Sequence, residues 1–343
     1  MFTGSFINVC NVTFINATAA GRGGAVFLQD NHNVTFDLCT FIGNEALGIA
    51  TNTWNDYTKE RNDARADTKL DYKLTGHGGA IAFDIRAHDC TITNSEFNYN
   101  YARRDGGAVN IAKNSSNFTV ENSVFNNDTT GDDGGAINWE GDLGLIKNVT
   151  CYNCTGVAFA DPVTGASTSK GGTICLTGDN ITITDSKFTS GGVLYNQGTL
   201  SETDAGGIFV TGENTTISNS EFIDCYSPNN AGAIKVIGNK TLMDNCTFIN
   251  CTATEDGGAL YVEGLDCKVY NSTFTDNTAG DDGGAILWEG ARGLIYNSTF
   301  TNNKGLGLDG AHSSGGAINL VGDYTVVEKS KFDGNTADIN GGS

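Results

Sequence analysis

Five aspartates stand immediately before a glycine or alanine step: Asp105, Asp133, Asp204, Asp256 and Asp282. Three have an acidic neighbour, giving Asp132-Asp133, Glu255-Asp256 and Asp281-Asp282. Like charges held side by side repel, and a hard cation such as Ca²⁺ relieves them with oxygen ligands. The candidate ligands are Asp105, Asp133, Asp256 and Asp282; no other cofactor is implied. The plainer expectation is that Asp favours a turn before Gly and points into water. Paired acids, with a histidine in Gly76-His77-Gly78, also raise the question of catalysis. These acids recur along the chain, however, whereas a catalytic constellation is normally unique.

The ten cysteines allow two readings. Cys225 and Cys251 hold the same place in successive repeats, within disulfide reach if the repeats stack. Alternatively, cysteines fill core positions as free thiols. Cys151-Tyr-Asn-Cys154 is a lone pair with no second pair or nearby His, which does not make a zinc site. Trp139-Glu140 and Trp288-Glu289 resemble sugar-stacking platforms, yet both tryptophans occupy a column otherwise filled by Leu, Val and Ile, which places them in the core.

What must position these residues is a repeat. Copies of a Gly-Gly-Ala-Ile opening start at Gly23, Gly78, Gly106, Gly134, Gly171, Ala205, Ala231, Gly257, Gly283 and Gly315, with a base period of 26 residues. The third residue after each start is apolar (Val26, Ile81, Val109 and so on), as is the residue two further on. Such alternation predicts a strand with one buried face. A second segment reads like Asn180-Ile-Thr-Ile, and a third carries Phe41, Phe97, Phe125, Phe188, Phe222, Phe248, Phe274, Phe300 and Phe332. Three short strands per 26 residues, running alike from turn to turn, predict an all-β, right-handed parallel β-helix of about eleven coils. The Phe column becomes an aromatic spine. Asn recurs three residues before it (Asn11, Asn94, Asn122, Asn148, Asn219, Asn245, Asn271, Asn297) and three after it (Asn44, Asn100, Asn277, Asn303, Asn335). Stacked amides in such columns bond along the column and satisfy turn backbone.

The Gly-Gly-Ala-Ile and Phe-x-x-Asn pairing resembles the repeats of chlamydial polymorphic outer-membrane autotransporters. Asn-Ser-Thr-Phe-Thr-Asn-Asn (297–303) is more similar still to adhesin-like surface proteins of methanogenic archaea. The resemblance spans nearly the whole chain and implies a cell-surface adhesion role. Departures occur at Cys154, Cys225 and Cys251 in the late Asn column, at Cys151 in the Phe column, and at Gly191 and Asp128. Pectate lyases and polygalacturonases share the fold class. In polygalacturonases, though, the aspartate motifs precede Gly-His-Gly, and here the doublets follow it.

Composition agrees with a surface rod. Forty acidic against 20 basic residues, a net charge of −20, argue against a nucleic-acid partner. No run of 18 apolar residues is present, so any membrane attachment is expected through an anchor outside this segment. The chain opens inside one repeat and closes on a fresh Gly-Gly, as expected of a piece of a longer protein. Of fifteen Asn-x-Ser/Thr sequons, five (Asn11, Asn148, Asn245, Asn271, Asn297) fall in the early Asn column, where the amide is engaged; Asn33, Asn114, Asn117, Asn180, Asn214 and Asn239 are the better glycosylation candidates.

The chain reads as one body, 1–343, with an inserted loop at 45–77. That loop gathers Lys59, Arg61, Arg65, Lys69 and Lys73 in an otherwise acidic chain, and its charge alternation suits a short helix around 56–66. Loops on a rigid solenoid commonly carry binding, and Trp54, Tyr57 and Arg61 are the expected contacts. Smaller insertions lie near 155–170, 193–204 and 303–314. The expected protein is a non-catalytic, monomeric, extracellular rod at the cell surface that presents loops to a glycan or protein on another cell. The alternative is a polysaccharide lyase or glycoside hydrolase of the same fold.

Overall fold

The computed structural model describes residues 4–48, 76–158, 166–195, 199–307 and 314–338. Every described element is a β-strand or turn, and the strands fall into long parallel sheets. The opening segments form a ten-stranded sheet running from Val26–Leu28 to Ile318–Leu320. The second segments form an eleven-stranded sheet from Ile7–Cys10 to Val326–Glu328. The Phe segments form another, from Thr13–Ile15 to Lys331–Asp333. Equivalent residues pair in register, so Phe274 faces Phe300 and Val262 faces Trp288 across neighbouring coils. About eleven coils stack into one parallel β-helix. A fourth ladder, two residues long in most coils, runs from Thr18–Ala19 to Thr336–Ala337.

The spine is continuous but for one place. Ring centroids are 4.8 Å apart for Phe274 and Phe300, with planes 6° from parallel. The same stacking joins Phe14, Phe41, Phe97 and Phe125, then Phe188 through Phe332. Cys151 pairs with Phe125 and Phe188 and interrupts the rings. Trp139 and Trp288 are fully buried, and each donates its indole N–H to a backbone carbonyl, of Gly141 at 3.0 Å and Gly290 at 2.8 Å. Each ring fills space left by a glycine five residues on: a Cβ at Gly144 or Gly293 would lie 2.4 Å from the indole.

The two glycines of the opening do different jobs. The first adopts a left-handed backbone, with φ of 68° at Gly106 and 66° at Gly283; Ala205 and Ala231 adopt it too, at 62° and 58°. The second has no room for a side chain, since a Cβ on Gly258 would meet the Gly284 carbonyl at 2.1 Å. That close approach is why only the second position is Gly in every copy.

Inside the rod the late Asn column is a bonded ladder. Asn277 Nδ2 donates to Asn303 Oδ1 at 2.9 Å and to the Phe248 carbonyl at 3.2 Å, and the Asn277 backbone N–H reaches the same Asn303 oxygen at 3.0 Å. Asn303 repeats the pattern with Asn335 and Phe274, and Asn44 and Asn100 repeat it at the other end. In the middle, Cys225 and Cys251 offer thiols to the Phe188 and Phe222 carbonyls at 3.9 and 3.6 Å. A donor thus faces the preceding coil's Phe carbonyl whether the residue is an amide or a thiol. All ten cysteines are free and nine are buried. Burial raises the thiols of Cys151, Cys154, Cys175 and Cys251 well above the ordinary range. They are core fillers.

One expectation is overturned. The opening strand was expected to bury one face, but Ile81–Phe83, Val109–Ile111, Ile137–Trp139 and Ile234–Val236 are buried at all three positions. The turn carrying Asp-Gly-Gly folds alongside the sheet and covers its outer side. There Cys175, Ala205, Phe209 and Ala231 form a small second core against which Tyr261 packs.

Candidate functional site: the carboxylate seam outside the opening sheet

The aspartates before the glycine step lie in one row outside the opening sheet. They do not simply point into water. One carboxylate oxygen of each accepts a backbone N–H from the next coil: Asp133 Oδ1 from Lys170 at 2.8 Å, Asp204 Oδ1 from Asn230 at 3.3 Å, Asp256 Oδ1 from Asp282 at 2.9 Å, and Asp282 Oδ1 from Ser314 at 2.6 Å. Asn230 does the same for Asp256, at 3.2 Å. The row is a turn-capping ladder: each side chain bonds an amide at the glycine turn of the next coil.

At one end the acids converge. Asp105, Asp132 and Asp133 place carboxylate oxygens within 4.8 Å of one another, the single such group of three among the described residues. Basic side chains flank it: His77 Nδ1 lies 2.9 Å from Asp105 Oδ2, and Arg104 Nη2 lies 2.9 Å from Asp132 Oδ2. Burial would raise the Asp105 pKa, but the adjacent His77, with help from Arg104, holds it below the usual value. Asp133 is pushed the other way, by burial first and then by the charges of Asp132 and Asp105. Glu140 is raised by burial and by Asp105, and its Oε1 accepts from Asn138 at 3.3 Å. A groove of about 340 Å³ opens beside Glu140, lined also by Lys113, Asn114, Asp142, Thr177 and Asp179. Asp105 and Asp133 are thus shifted in opposite directions, the pattern by which paired acids divide donor and acceptor roles.

Of the four expected cation ligands, the structure brings Asp105 and Asp133 together and links Asp256 to Asp282 through a backbone amide. Asp256 titrates near 6, raised by burial and by Asp281 and Asp282. With Oδ1 committed to the ladder, one oxygen each of Asp133 and Asp256 remains for a cation. Asp282 spends its second on Asn319, at 2.9 Å. The expected loop contacts Trp54, Tyr57 and Arg61, and the expected helix at 56–66, lie outside the described residues.

The sequons divide as the columns do. Asn148, Asn245, Asn271 and Asn297 donate their amides to the coil before, Asn297 to Asn271 at 2.8 Å. Asn33, Asn114, Asn117, Asn180 and Asn214 are exposed. Asn239 is tied at both ends, to Glu213 at 3.1 Å and to the Leu265 N–H at 2.9 Å, and is the poorest of the six candidates.

Sequence reasoning missed the charged cluster around Lys235. It occupies the outer middle position of its strand, paired with Phe209 and Tyr261, and reaches Asp204 at 2.9 Å and Glu263 at 3.2 Å. The signal was present as a lone Lys in a column of Asn, Cys, Phe and Tyr.

All four insertions leave the rod from the same corner. The chain departs after the fourth-ladder strands Glu45–Ala46, Thr155–Ala158, Gly192–Tyr195 and Lys304–Gly305, and returns at Gly78, Gly171, Ala205 and Gly315. Two of these excursions pair with each other, Ala166–Thr168 running parallel to Thr199–Glu202.

A family model described as a right handed beta helix region matches residues 206–342. The chain is a right-handed parallel β-helix. No curated protein matches it.

Proposed function

We propose that this β-helix is a non-catalytic, extracellular, adhesin-like rod at the cell surface that holds its inserted loops toward a glycan or protein on another cell. The observation that carries the reading is the common corner: four insertions of unequal length, all rooted between the fourth ladder and the glycine step, on a rod whose other coils differ by no more than two residues. Loops rooted in a line on a rigid scaffold can engage an extended partner together. The carboxylate row supports a structural role, because its members are spent on backbone amides along most of the rod.

The test is whole-cell and glycan-array binding by the full chain and by a chain lacking residues 49–76, which leaves three residues between Ala46 and Gly78, as between Ala253 and Gly257. Lost binding supports the reading, with Trp54, Tyr57 and Arg61 the first residues to replace. Equal binding by both chains removes that loop as the recognition element.

A second reading, a polysaccharide lyase or hydrolase, is favoured by one observation, the convergence of Asp105, Asp132 and Asp133 beside His77 and Glu140. Reducing-sugar and unsaturated-product screens on the purified chain separate the two. Turnover abolished by Asp133→Asn but not by Asp282→Asn would establish the enzyme and displace the adhesin.

A further inference from the structure

Lys235 is set up for bond formation, not only for ion pairing. Its side chain is 9 % exposed and that of Asp204 8 %, whereas the surface pair Lys187–Glu221 is 48 % and 51 % exposed. Nζ lies 2.9 Å from Asp204 Oδ2, in direct contact with the carboxyl group. The other oxygen, Oδ1, receives two donors, Asn229 Nδ2 at 3.2 Å and the Asn230 backbone N–H at 3.3 Å. Two fixed N–H groups on one carboxylate oxygen make an oxyanion site. A third group, Glu263 Oε1, stands 3.2 Å from Nζ. Phe209, 3 % exposed, and the Tyr261 ring, 4.6 Å from Nζ, flank the lysine along its column.

We propose that Lys235 and Asp204 condense to an isopeptide bond that staples two successive coils, with Glu263 as the proton shuttle. The step balances without any co-reactant. Glu263 relays a proton from the Lys235 ammonium to Asp204 Oδ2, and the neutral amine attacks the resulting carboxylic acid at Cγ while Oδ1 carries the developing charge toward Asn229 and Asn230. The Cγ–Oδ2 bond then breaks, and the oxygen departs as water with protons from Nζ, one of them relayed by Glu263. Ammonium and carboxylate become an amide and one water. In free solution water opposes this condensation. Groups fixed in contact react as though present at roughly 10⁵–10⁸ M, which reverses the balance, and the covered site limits hydrolysis.

The two carboxylates outweigh burial and hold the Lys235 pKa above its ordinary value. The neutral amine is therefore a minor form, and the bond forms slowly, after folding. It ties the turn where the insertion at 193–204 rejoins the rod to the strand Ile234–Val236 of the next coil. The inference stands apart from the adhesin reading, since it concerns only groups within the rod.

The experiment is intact-mass and peptide-mapping spectrometry on the folded full chain, with its β-sheet signature checked by circular dichroism. The expected result is a mass lower by one water and a joined peptide containing Asp204 and Lys235. Lys235→Arg should return the full mass, and Glu263→Gln should leave the chain unlinked or linked far more slowly. Dehydration at Asp-Gly steps such as Asp105-Gly106 gives the same mass change, so a loss that persists in Lys235→Arg overturns the proposal. So does a folded wild-type chain that keeps its full mass after prolonged incubation.

Discussion

Two ladders in this rod make the same bond in opposite surroundings. Inside, the column from Asn44 to Asn335 accepts backbone N–H groups between coils with neutral amides. Outside, the row from Asp105 to Asp282 does so with carboxylates. At the partly wetted seam a charged acceptor makes the stronger bond, although burial there still raises the pKa of Asp133 and Asp256. In the interior an ion is expensive, and the residue must also donate, because the preceding coil's Phe carbonyl faces it. Asn meets both demands. The difference shows that side-chain chemistry in each column follows from which of its two bonds is available and from the polarity around it.

Asp128 is the exception that sharpens the contrast. It stands in the interior column, accepts from Asn100 N–H and Nδ2 at 2.8 Å each through Oδ1, and leaves Oδ2 with no partner. Burial raises its pKa to about 7. Its neighbours in the next coil are the thiols Cys154 and Cys151, neither of which supplies a positive charge. As an acid, Oδ2–H fills the donor's place that Asn100 fills toward Phe41.

The comparison can be broken from the inside first. Asn303→Leu should cost about 3–5 kcal/mol, since it orphans the Asn277 amide groups and the Phe274 carbonyl together; chemical denaturation measures it. Next is Asp128→Asn. A folded pKa raised to about 7 from 3.8 means that stability is fully present below pH 3.8 and is lost as pH rises through 7. The variant should therefore be more stable by roughly 2–4 kcal/mol at pH 8 and unchanged near pH 3, with the wild-type's pH slope between those values removed. On the outside, Asp282→Ala frees the Ser314 N–H at a partly wetted turn and should cost only about 0.5–2 kcal/mol. Smallest is Cys251→Asn, which exchanges a thiol donor for an amide and extends the Asn277 ladder. Its effect should stay within about 1 kcal/mol. Equal costs for Asn303→Leu and Asp282→Ala would dissolve the distinction between the ladders.

Much of this architecture was legible in spacing alone. The 26-residue interval, the alternating apolar pairs and the Phe column determined the coils, because every coil repeats the same steric demand. The fourth ladder was not legible: two residues such as Tyr101–Ala102 carry no alternation to detect. The covered outer face was missed for a related reason. Period two says that Asn110, Asn138 and Lys235 point away from the core, but not that the next turn folds over them. The meeting of His77 with Asp105 depends on coils stacking after a long insertion, which chain distance hides. The paired exchange of Trp for Leu with Gly144 and Gly293 was visible as GDLGLI and ARGLI, and only packing explained it.

A strand that gains one residue turns its side chains inside out, so most of this chain tolerates no change of length. The shared corner is where that rule is suspended, because whatever is added there begins and ends outside the ladders. New segments can be grafted at Ala46–Gly78 or Gly305–Gly315, in tandem and at separations set by whole coils, without re-registering a single Phe.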